Sequence, residues 1–125
     1  MSGRPRIRSL KPEMWSDEAV GAVSRDARLL FIGLITLADD EGRFRALPSL
    51  VLGHAFPYDA DAPKRLAKWI AELEQASLLV TYQAGEHTYG WLPGWSNQKI
   101  SKPSKSRLPA PPNHEAFPDQ SRNGS

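Results

Sequence analysis

The chain has 125 residues and no cysteine. That absence excludes a disulfide, a thiolate zinc site and a cysteine nucleophile, and it suits a reducing compartment. No apolar run approaches the roughly 18–20 residues of a membrane span. The charged first residues are not followed by the apolar stretch of a secretory signal. A soluble, cytoplasmic protein is expected. Internal repeats are missing, and so are the signatures of catalysis. His54, His87 and His114 are scattered, with no paired acids at ligand spacing. No Gly-x-Ser-x-Gly elbow, Walker loop or Rossmann glycine pattern occurs. The run Asp39-Asp40-Glu41 lacks the spaced oxygen ligands and later Glu of a calcium loop. The expectation is a protein that is not an enzyme and uses no cofactor and no metal.

Acid is the next thing missing, and only from two places. Arg4, Arg6, Arg8 and Lys11 stand in the first eleven residues with no Asp or Glu among them. Lys99, Lys102, Lys105 and Arg107 stand between Ser96 and Leu108, again without an acid. The stretch from Pro12 to Ser96 holds 7 Lys or Arg and 12 Asp or Glu and nets −5, so the overall +2 conceals two basic arms around an acidic body. Basic arms beside a small domain suit phosphate-backbone binding, because each cation that pairs with a phosphate releases a condensed counterion. Solvated ends are the plainer alternative.

The length suits one domain. The division expected is a basic N-terminal arm (1–11), a folded domain (12–96), and a tail (97–125) that is first basic, then rich in proline and flexible. Within the domain, Pro12 to Val23 reads as one or two helical turns, with Trp15 packed on the body. Ser24 is a good N-cap for a helix to Ala38. Ala27, Leu30, Phe31, Leu34, Leu37 and Ala38 recur at helical spacing there, and Leu29, Ile32 and Ile35 widen the stripe. Gly42 closes the acidic turn, where Arg43 and Arg45 are read as ion-pairing with Asp39, Asp40 or Glu41. Arg43 to Ala46 is extended. Pro48 opens a second helix to His54, stopped by Phe56-Pro57-Tyr58-Asp59. A third helix runs from Ala62 to Ala76, with Leu66, Trp69, Ile70 and Leu73 on its apolar face. Leu78–Gln83 and His87–Leu92 form a hairpin in which His87, Tyr89 and Trp91 share one face, and Trp95 folds back onto the core.

Helix, short strand, helix, helix, hairpin is the order of an α+β winged helix-turn-helix domain, a three-helix core with a β-hairpin wing. Its third helix would offer its N-terminal residues to the major groove. Lys64, Arg65 and Lys68 fall there, and a solvated helix face is the alternative. Lys99, Lys102, Lys105 and Arg107 would lie along the backbone. Arg4, Arg6 and Arg8 would enter a minor groove.

The strings RIRSLKPEMWSDEAV (6–20), SRDARLLFIGLITLADDEGRFRA (24–46), FPYD (56–59) and WSNQKISKPSKSRLP (95–109) resemble a family of small bacteriophage and prophage helix-turn-helix proteins, similar to the N-terminal domains of phage replisome organisers. The resemblance covers the chain nearly to Pro112. It implies a protein of the bacterial host cytoplasm that binds double-stranded DNA in phage replication initiation, at an origin, with a replisome or host protein as a further partner. A phage transcriptional regulator using the same surface is one alternative. A protein-interaction module that captures a host replication or defence factor is another.

Overall fold

The computed structural model describes residues 6–95, 98 and 103–112. Among these, four α-helices and a three-stranded antiparallel sheet make an α+β fold. A 3₁₀ turn, Pro12–Ser16, leads into the short α1 (Glu18–Gly21), which Asp17 caps by accepting the Ala19 and Val20 amides at 2.8 and 3.2 Å. Trp15 does not pack on the body as expected, since it is 67% exposed. The 3₁₀ turn buries none of its residues, and Val20 and Val23 anchor the segment instead.

Helix α2 (Arg25–Leu37) begins where its cap predicts. Ser24 Oγ accepts the Ala27 amide at 3.2 Å, satisfying one of the free first-turn donors. Ala27, Leu30, Leu34 and Ile35 are buried along it. Leu29 was expected to widen that stripe but is half exposed, because a neighbour of Leu30 in sequence is turned about 100° away from it on a helix. Helix α3 (Pro48–Ala55) crosses α2 closely. A Cβ on Gly33 would come within 2.7 Å of the Ala55 Cβ, so only glycine permits this approach. Helix α4 (Ala62–Gln75) has Pro63 in its first turn, where a missing N–H costs nothing. It stops at Ser77, whose φ of 61° lets the Leu78 amide reach back to the Leu73 carbonyl at 2.9 Å.

The sheet has the order β1-β3-β2, from β1 (Arg43–Arg45), β2 (Val80–Ala84) and β3 (His87–Trp91). Its register gives two faces. Phe44, Gly90 and Thr81 stand in line on one, and Arg45, Tyr89 and Tyr82 on the other. The first face meets the helices. Phe44 joins the core with Leu30, Leu34, Leu66, Trp69 and Leu73, and the Thr81 hydroxyl bonds the Glu74 carboxylate of α4. The outer face carries Tyr82 and Tyr89, yet both are buried, 6% and 9% exposed. Tyr82 donates to the Pro109 carbonyl in the stretch 103–112, which composition marks as tail. It lies against the body, and Pro111 within it is buried.

Candidate nucleic-acid interface

Helix α4 divides its charges by use. Leu66, Trp69 and Leu73 face the core. Its two acids, half-buried Glu72 and exposed Glu74, hydrogen-bond neutral groups on other elements. Glu72 accepts the Ser24 amide at 2.7 Å and the Ser24 hydroxyl at 3.0 Å, tying α4 to the start of α2, and Glu74 holds Thr81. Its cations are left outside. Lys64, Arg65 and Lys68 are all exposed. Arg65 meets Asp61 at 3.3 Å, but both side chains are more than half exposed, 58% and 65%, so water weakens that pair to at most a fraction of a cation's charge. Lys64 and Lys68 enter no ion pair among the described residues. Lys64, Ala67, Lys68, Ala71 and Gln75 continue as an exposed row at i, i+3 and i, i+4 spacing, with small alanines between the cations.

Lys64 and Arg65 also stand in the first turns of α4, where the macrodipole disfavours cations by about 0.3–1 kcal/mol each at a surface. The Ala62 and Lys64 amides of that turn are met by the Asp59 and Asp61 carbonyls at 3.1 and 3.2 Å, so the positive potential at this end comes from the two side chains and the helix dipole. Arg65 recovers part of that cost from Asp61, whereas Lys64 has no ion pair among the described residues, and an anion would supply one.

The described parts of the two basic arms do not join this patch. They converge on the α2–β1 turn, Asp39 to Gly42. Asp39 Oδ1 accepts the Glu41 and Arg43 amides at 2.9 and 3.0 Å, and Gly42 has φ +79° with the Trp95 ring stacked where a side chain would go. Trp95 folds back as expected, and its indole N–H donates to the Asp40 carbonyl at 2.7 Å. Into this turn comes Arg8, which pairs with Asp40 Oδ1 at 3.0 Å, donates to the Ala38 carbonyl at 2.9 Å and lies 4.9 Å over the Trp95 ring. Arg8 was read as a groove-entering arm residue. Its side chain is 4% exposed and both terminal nitrogens are bonded within the fold, because a buried carboxylate 32 residues away in sequence claims it. Arg6 reaches Asp40 Oδ2 at 3.2 Å and stays 44% exposed. The Asp40 carboxyl is held below its ordinary pKa of 3.8. The Ser104 amide bonded to it is the first cause, and the Arg8 and Arg6 guanidinium groups outweigh with it the opposing effect of burial.

The second arm meets the same turn. The Ser104 amide donates to Asp40 Oδ2 at 2.8 Å, the Ser106 amide to Glu41 at 2.6 Å, and the Ser106 hydroxyl to Asp39. Beyond it the chain crosses the outer sheet face. Arg43 of β1 donates to the Leu108 carbonyl at 2.9 Å, and Tyr82 of β2 to the Pro109 carbonyl at 2.7 Å. Burial pushes the Tyr82 phenol up to about 12. Lys105 and Arg107 stay exposed on this strap, on the opposite side of the sheet from α4. Arg4, Lys99 and Lys102 lie outside the described residues.

Of the two arginines beside the acidic run, Arg43 pairs with Glu41 at 3.2 Å as read from sequence, whereas Arg45 donates to the His87 ring at 2.7 Å across the sheet. Arg43 lies opposite Trp91 and Arg45 opposite Tyr89, so the acidic turn sits at the end of β3 away from the hairpin turn at Gly85. His54 is spent on Thr36, 2.8 Å from its hydroxyl. Among the described residues no group of three His, Asp or Glu could hold a metal ion, and no helix is long and apolar enough to cross a membrane. Compared with models of protein families, with curated proteins and with solved structures, the chain finds no match.

Proposed function

We propose that this chain is a winged-helix protein that binds double-stranded DNA through α4, in the initiation of phage DNA replication at an origin. The order α2, β1, α3, α4, then the β2–β3 hairpin with β1 on its far edge, is that of a winged helix-turn-helix domain, whose second helix of the turn unit reads the major groove. The observation that carries the reading is the charge division on α4. Its acids lie in its C-terminal half and bond neutral serine and threonine partners, and its cations stand exposed in its N-terminal half, Lys64 and Arg65 nearest the positive end of the helix dipole. The replication role rests on the resemblance of residues 6–20, 24–46, 56–59 and 95–109 to small phage helix-turn-helix proteins.

We withdraw Arg8 from the contact set, since its side chain is buried against Asp40 and Trp95, and take Lys64, Arg65 and Lys68 as its centre. If each of the three neutralises one phosphate, replacing all by Ala should flatten the plot of log affinity against log salt by about 2.7. Fluorescence anisotropy with duplex and single-stranded DNA, at several salt concentrations, measures this. Glu72 and Glu74 are left in place, so the fold should survive. A folded triple variant with the wild-type salt slope refutes the assignment of α4. Footprinting then separates an origin from a promoter.

A further inference from the structure

We infer that the outer face of the sheet is a binding surface for an extended, proline-rich peptide, and that the chain fills it with its own residues 103–112 as an exchangeable ligand. The inference stands apart from DNA binding by α4, which lies on the other face.

Three observations carry it. The first is the pattern of contacts. Two side chains donate to consecutive strap carbonyls, Arg43 to Leu108 and Tyr82 to Pro109, from the two outer strands of the sheet. Donors on an aromatic face that reach peptide carbonyls are the chemistry of polyproline recognition, because a polyproline helix keeps its carbonyls free of internal bonds. The second is the surface. Tyr82 and Tyr89 pack at 5.8 Å between centroids on the face turned away from the helical core, and the Tyr82 hydroxyl is bonded to the strap. The third is the ligand. Leu-Pro-Ala-Pro-Pro has three fixed φ angles in five residues, and each residue before a proline is steered to extended backbone, so it loses little freedom on docking. The acidic turn adds a second grip. It accepts the Ser104 and Ser106 amides and the Ser106 hydroxyl, a set any extended peptide with two free amides and a serine presents. Recognition is therefore directed mainly at backbone groups, and another molecule bearing a Ser-x-Ser-x-Leu-Pro-x-Pro-Pro pattern meets the same donors and acceptors.

The probe is a labelled synthetic peptide, PSKSRLPAPP, matching residues 103–112, titrated into the full chain. Against wild type it competes with a tethered copy whose effective concentration is of millimolar order, and it should bind weakly. In the full-length variant Leu108→Gly, Pro109→Gly, Pro111→Gly the face is open, and the peptide should bind at least about tenfold tighter. A peptide with its prolines replaced by glycine should bind markedly more weakly to that variant. A folded variant that ignores the peptide, or that takes the glycine peptide equally well, overturns the inference. If the variant does not fold, amide exchange in the wild type decides. Excess peptide should speed exchange at Ser104 and Ser106, and unchanged exchange at saturating peptide overturns it.

Discussion

Arg8→Met separates a structural arginine from a DNA-binding one. Methionine keeps an unbranched stem against Trp95 and removes the guanidinium. The loss has three parts in the structure. The Ala38 carbonyl loses its 2.9 Å donor, Asp40 loses its buried partner at 3.0 Å, and the contact over the indole ring disappears. Breaking a buried pair from one side costs about 3–5 kcal/mol, since it strands the other charge. Arg6 and the Ser104 amide still face Asp40, which places the expected cost near the low end, about 3 kcal/mol. For a domain of this size that is a fall of roughly 12–20 °C in melting temperature. Urea denaturation followed by tryptophan fluorescence measures it, and an unchanged m-value shows that the same cooperative unit unfolds. Adding Asp40→Asn removes the stranded charge, so the double variant should be more stable than the sum of the two single losses by about 1–2 kcal/mol. A free arm residue would give a change within about 0.5 kcal/mol. A loss below about 1 kcal/mol would refute the argument that Arg8 belongs to the fold.

Two further outcomes follow from the same geometry. The lowered Asp40 pKa means that its contribution is complete above the ordinary value of 3.8 and is lost as pH falls through the lower folded value, so acid unfolding should be steeper for wild type than for Asp40→Asn in melting curves taken between about pH 5 and 2. Gly90→Ala places a methyl group inside the Phe44 ring, with no flexible neighbour to yield, and should cost about 3 kcal/mol in a urea titration; a loss under about 1 kcal/mol would mean that the sheet shifts to accept it.

Local chemistry was legible in the sequence where partners are near. Ser24 caps α2, Pro63 opens α4, Gly42 closes a turn, and the apolar spacing of Leu66, Trp69 and Leu73 marks the buried side of α4. What escaped were contacts between distant segments. Composition assigns Arg8 to an exposed arm because its partner, Asp40, is identified only by folding. Residues 103–112 are poor in apolar side chains, and their anchoring comes from backbone amides and carbonyls, which every sequence has and none advertises. Two signals did point to the clasp. Three adjacent acids between two acid-free arms are complementary in charge. Tyr82 and Tyr89 supply more aromatic surface than a hairpin with one wet face requires. For the candidate interface, the cations of α4 were visible as a run, whereas the fate of Glu72 and Glu74 was not.

The acidic turn receives partners 32 residues before it in one case and 64 after it in another, both through the same Asp40 carboxylate. Local pieces such as α2, α4 and the hairpin can form before either loop closes. Contacts of such separation generally come late, after the ordering cost of the intervening chain has been met. Interactions absent from the folding transition state slow unfolding while leaving folding nearly unchanged. The clasp is thus placed to act on the lifetime of the native state more than on the speed at which it is reached.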